Sequence, residues 1–160
     1  MIRKKIGIAA TGLILAIGGQ SSHAASAEAT QYANDLASCA GTAFASNTLA
    51  PRKYQPKQAR YDLSAARTIL GGGSDAQLKV LFNEGYRDGA EGVAQLISKA
   101  ETDPDPNNKR AYTTRSTSLG NICKSKKLKM TQTLYSELAP YSNQHVQQFW
   151  VQNLDSWISK

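Results

Sequence analysis

Two cysteines and two histidines stand in 160 residues, and their scarcity removes several chemistries at once. Two cysteines cannot build a disulfide-dense scaffold or a metal site made of cysteine alone. No histidine pair has metal-ligand spacing, and neither a Cys-x-x-Cys nor a Gly-x-Ser-x-Gly motif occurs. No cofactor is expected. Proline is scarce enough, at five residues, to read as punctuation. There is no repeat of 20–50 residues, so a solenoid is excluded. Beyond the first 17 residues no long apolar run appears, so no later segment reads as a membrane span. What is present is 41% hydrophobic and 19% charged residues, a composition that can offset the ordering entropy of a folded domain.

The start is distinctive. Arg3, Lys4 and Lys5 precede an apolar stretch over residues 6–17, followed by Gly18, Gly19 and small residues. A basic end, a short apolar run and small residues make a secretory leader, too short to span a bilayer comfortably. Ser22 and Ala24 sit three and one before a cut after Ala24, and Ala25 and Ala27 offer a second cut after Ala27. The expected organisation is a leader over 1–24 and one domain over 25–160. Without the leader, sixteen basic residues face twelve acidic ones, and the net charge falls from +7 to +4. In an oxidising compartment Cys39 and Cys123 are expected to form a disulfide. By the chain-entropy model, closing that loop contributes about 4.5 kcal/mol. Two reduced core cysteines are the competing reading.

Between the breaks the apolar period is near 3.6, which predicts an all-α bundle of about five helices. Ala29, Tyr32, Ala33, Leu36, Ala40, Ala43 and Phe44 form the face of a first helix, with Cys39 beside it. Pro56 suits the first turn of a second, whose face is Ala59, Leu63, Ala66 and Leu70 and whose stop is Gly71. Ser74 and Gln77 read as a capping box for a long third helix bearing Leu78, Leu81, Phe82, Val93, Leu96 and Ile97. Gly85, Gly89 and Gly92 share a side of it and invite close approach by the alanine-rich first helix, through Ala33, Ala37 and Ala40. Asp105 caps a fourth helix begun by Pro106, with Ala111, Leu119, Ile122 and Cys123 turned inward. A short turn around Leu134 and Leu138 leads to a last helix. Ser142 is its cap, and Val146, Phe149, Trp150, Leu154, Trp157 and Ile158 are its stripe.

Charge is segregated along the chain. Residues 74–106 hold seven acids against Lys79, Arg87 and Lys99, while residues 107–136 hold seven bases and no acid. An antiparallel pairing of the third and fourth helices would spend much of this complementarity internally. The densest cluster, Lys124, Lys126, Lys127 and Lys129, complements a helix C-terminus or grips an acidic protein face or anionic membrane. Nucleic acid is disfavoured as a partner, because no aromatic side chain is interleaved there to stack on bases.

No catalytic constellation emerges. Once the leader carrying His23 is removed, His145 is the only histidine. Glu84, Asp88 and Glu91 lie on one helical side, but Arg87 stands at ion-pair spacing from both glutamates. The expected function is therefore that of an exported, non-catalytic protein, periplasmic or secreted. It binds another envelope or secretion-apparatus protein through Lys124, Lys126, Lys127, Lys129, Trp150 and Trp157, as an inhibitor, immunity protein or assembly factor. The alternative is an interfacial membrane-binding or lytic factor using the same lysines and the last helix. An enzyme acting on cell-wall or phosphate substrates would need a cleft gathering Glu84, Asp88 or His145. The layout of leader, helices and two distant cysteines resembles that of small envelope proteins, including inhibitors and immunity proteins. No specific motif carries that likeness.

Overall fold

The computed structural model describes residues 25–51, 57–71, 74–126, 136–138 and 154–158, with residues 57–58 and 121–126 described by backbone alone. Four helices follow in order: α1 (Ala27–Leu49), α2 (Lys57–Leu70), α3 (Asp75–Thr102) and α4 (Pro106–Lys126). Among the described residues there is no strand, and a 3-10 turn (Leu154–Trp157) comes last.

α1 is the hub, packing against α2, α3 and α4. Its seven alanines make it thin, and from Cys39 to Ser46 nearly every residue is buried whichever way it faces. Only a helix enclosed on all sides shows that pattern. α1 and α3 run parallel and meet backbone to backbone. Ser38 lies against Gly85, Gly41 against Phe82 and Tyr86, and Thr42 and Ala45 against Gly89. A Cβ on Gly41 would come to 1.9 Å from the Phe82 carbonyl oxygen, and one on Gly85 to 1.9 Å from that of Ser38. Thr42 Oγ1 donates to the Gly85 carbonyl at 3.0 Å, closing the seam with a hydrogen bond. The glycine stripe thus finds α1 as its partner, through Ser38, Gly41, Thr42 and Ala45. Gly92 faces the Leu119 side chain of α4 instead.

α4 runs antiparallel to α1. Ser46 Oγ donates to the Ser116 carbonyl at 2.8 Å, and Gly120 lies against Ala43 one turn on. Both serines are buried, and the hydroxyl of Ser116 donates to the Thr113 carbonyl, so these polar groups are satisfied.

The larger side chains gather at one level. Phe82 is wholly buried, with the Phe44 ring centroid 5.8 Å away and the Trp157 ring set edge-on at 5.9 Å. Tyr86 joins through Phe44 at 6.1 Å. Tilted and edge-on pairs satisfy the ring quadrupoles, and each fully buried large apolar side chain contributes about 1.5–3 kcal/mol. Leu63, Leu78 and Leu154 extend this core.

The connections obey local chemistry, with two corrections. Gly71 stops α2 in the left-handed region at φ 80°, its N–H donating to the Arg67 carbonyl. Asp105 Oδ1 accepts the Asn107 N–H at 2.8 Å ahead of Pro106, and Asp103 Oδ1 accepts the Asp105 N–H at 2.9 Å. The expected Ser74–Gln77 capping box does not form. Ser74 already has helical dihedrals (φ −80°, ψ −1°), which turn its hydroxyl back to donate to the Gly71 carbonyl. Gln77 is drawn instead to α1, where Nε2 donates to Asn34 Oδ1 at 2.9 Å. The expected last α-helix is seen at residues 154–157 as one 3-10 turn, which lets Leu154 and Trp157 both reach the core. Ile158 follows the turn and packs against the core, while Val146, Phe149 and Trp150, like Pro56 and Leu134, lie outside the described residues.

Gly41→Ala and Gly85→Ala are each expected to cost about 3 kcal/mol or more, because an added methyl meets a backbone carbonyl that cannot swing aside. Gly92→Ala meets only the Leu119 methyl at 3.1 Å and gains helix propensity, so its stability should stay within about 1 kcal/mol of wild type. Urea unfolding of the three variants separates the two cases.

Candidate functional site: the charged helical hairpin and the terminal clasp

α3 and α4 form an antiparallel hairpin that, among the described residues, runs on past the end of α1. Beyond Val93 on α3, and before Ser116 on α4, no described residue is buried. About nine residues of α3, some 13 Å of helix, extend past the level where α1 ends. Leu96, Ile97, Ala100 and Tyr112 are half-buried in this part, while Lys99, Glu101, Lys109, Arg110 and Arg115 are exposed.

Among the described residues the hairpin does not neutralise itself. Although α3 and α4 lie side by side, Lys109, Arg110 and Arg115 form no ion pair with the acids of α3 among the described residues. Glu84, Arg87, Asp88 and Glu91 are all exposed on α3, and the expected ion pairs through Arg87 do not form. Glu91 accepts from Gln95 Nε2 at 3.1 Å instead. An ion pair does join α2 to the start of α3, where Arg67 Nε and Asp75 Oδ1 are 2.9 Å apart. Both side chains are well exposed, so it stabilises by at most a few tenths of a kcal/mol. The acids that acid/base chemistry would need stand on an open helical side. Among the described residues no group of three His, Cys, Asp or Glu side chains is placed to hold a metal ion.

The fate of the other expected residues is mixed. α4 carries the backbone of Lys124 and Lys126 in its last turn, and their side chains lie outside the described residues. Lys127, Lys129, His145 and Trp150 lie outside them entirely. Trp157 is described and is half-buried, its ring against Phe82 and its carbonyl accepting from Asn83 Nδ2 at 2.6 Å. Cys39 is 6% exposed on α1, and the side chain of Cys123 is outside the described residues. Among the described residues no helix is long and apolar enough to cross a membrane.

One arrangement escaped the sequence reading. Ser26 caps α1 by accepting the Ala29 N–H at 3.1 Å. Its backbone N–H and its hydroxyl both donate to one carboxylate, that of Glu137, at 2.8 and 2.6 Å. The two residues are 111 positions apart, so no local period could have paired them. The sequence carries one sign of it, a serine just ahead of the first helix, and that serine also lies between Ala25 and Ala27 at the second expected leader cut. Elsewhere, Asp62 is buried on α2, and Tyr32 on α1 has its hydroxyl pKa raised, first by burial and then by the Asp62 charge.

The two hydrogen bonds from Ser26 hold the Glu137 carboxyl below its ordinary value of 4.5. A depressed folded-state pKa stabilises above the unfolded value, and that contribution is lost as the pH falls through the folded one. Glu137→Ala should therefore lower the melting temperature at neutral pH, with the gap to wild type closing below about pH 4. Thermal melts at stepped pH test this. A gap that persists in acid would assign the loss to something other than the carboxylate. Comparison with protein-family models, with curated proteins and with solved structures finds no match to this chain.

Proposed function

We propose that this chain is an exported, non-catalytic binding protein of the cell envelope, whose partner is another protein presenting an acidic face. The observation that carries this reading is the unspent charge of the hairpin. Had α4 paired its bases with the acids of α3, the segregation of charge would be accounted for within the fold. Lys109, Arg110 and Arg115 are instead exposed, with no acid of α3 bound to them among the described residues. α4 continues from them toward Lys124 and Lys126, and the chain adds Lys127 and Lys129. Such a stretch of one sign speeds encounter with an acidic partner and sets the orientation of docking. The leader at residues 1–24 delivers it to the envelope.

A Cys39–Cys123 disulfide belongs to the same proposal. The α1–α4 register supports it: Ser46 faces Ser116 and Ala43 faces Gly120, and the next turn brings position 39 of α1 level with position 123 of α4. The bond would staple the hub helix to the helix that carries the basic residues.

Thiol titration of the purified, unfolded protein should detect no thiol without reductant and two with it. Two thiols without reductant would remove the crosslink. For the partner, affinity capture from an envelope fraction should recover a complex that weakens as salt rises. The triple reversal Lys126→Glu, Lys127→Glu and Lys129→Glu should reduce recovery about tenfold or more. Undiminished recovery takes the basic segment out of the binding surface, and equal binding of wild-type protein to anionic vesicles would move the target from protein to membrane.

A further inference from the structure

Ala25, the residue after the first expected cut, is half-buried and packs against the core. Ser26 follows it and holds four hydrogen bonds, two to the start of α1 and two to Glu137. A cut after Ala27 would remove both residues, leaving α1 without its cap and the Glu137 carboxylate without its two donors. A cut after Ala24 keeps all of this. It also places a new amino group one residue, about 3.8 Å along the chain, before an N–H that already lies 2.8 Å from Glu137 Oε1.

We propose that the processed protein begins at Ala25 and that its new α-ammonium group joins the Glu137 carboxylate, so that removal of the leader completes the clasp between α1 and the C-terminal part of the chain. The proposal rests on the export reading. The step is hydrolysis of the Ala24–Ala25 peptide bond by a leader peptidase, with water as the co-reactant. The C–N bond breaks, the water oxygen bonds to the Ala24 carbonyl carbon, and the departing nitrogen takes up protons to become the ammonium of Ala25. An uncut chain has an uncharged amide at that position and only the two Ser26 donors. The cut chain adds a positive charge beside a carboxylate that is already held in place. Charge-assisted bonds of this kind are shorter and stronger than neutral ones.

Intact-mass measurement of the protein recovered from the envelope or medium should give residues 25–160. A chain beginning at Glu28 overturns this proposal and leaves export standing, whereas a chain retaining Met1 inside the cell overturns both. The ammonium is tested on the processed protein by a two-by-two comparison. Restoring Ser22, His23 and Ala24 to the N-terminus should lower the melting temperature by about 1–3 °C in wild type and leave that of Glu137→Gln unmoved. An equal effect of the extension in both backgrounds would show that the ammonium does not engage Glu137.

Discussion

Everything in this bundle is arranged around the line where α1 and α3 touch through their backbones. Gly41, Gly85 and Gly89 have no room for a methyl group, and Thr42 ties the two helices with a hydrogen bond to the Gly85 carbonyl. Each glycine weakens its own helix by about 1 kcal/mol relative to alanine. The close approach recovers that loss by bringing Phe44 of α1 and Phe82 of α3 into ring contact and by leaving α1 slim enough to be enclosed by α2 and α4 as well. A parallel pair needs a connection that returns along its length. α2 supplies it, lying against α1 while barely meeting α3.

The second constraint is how the far end of the chain is fastened. Trp157 sets its ring perpendicular to that of Phe82 and accepts from Asn83 at its carbonyl, Leu154 enters the core, and Glu137 holds Ser26. These ties reach different places: the second and third turns of α3 for the first, the start of α1 for the last. The C-terminal residues thereby bracket the central pair over much of its length. Two of these ties are made by polar groups whose partners lie far away in sequence.

That distinction explains what could be read from the residues in advance. The all-α class, the places where α2 and α4 stop and start, and the inward faces of α1 and α3 followed from period, glycine and proline, all of them local signals. Asp105 was legible as a cap because its acceptor and the Asn107 N–H are two residues apart. Ser74 looked equally good by spacing. There the competing acceptors were the Gly71 carbonyl, for the Ser74 hydroxyl, and, across the helix seam, Asn34 Oδ1, and only the packed structure brings Asn34 within reach of Gln77. Leu154 and Trp157 both turn inward, as the apolar stripe requires, but their three-residue spacing fits an α-helix and a single 3-10 turn alike. The charged hairpin was half legible. Its two signs were plain from composition, but whether they would neutralise each other depended on how the helices face.

The overhang of the α3–α4 hairpin also gives the molecule an internal gradient of stability. From Phe82 toward Thr102, α3 passes from total enclosure to a stretch where no described side chain is buried. Local opening requires least work where fewest apolar groups must be re-wetted, so amide hydrogens near the hairpin tip exchange with solvent well before those beside Gly85. A body that grasped the tip would quiet motions there at small cost, and the rigid central pair would feel little of it.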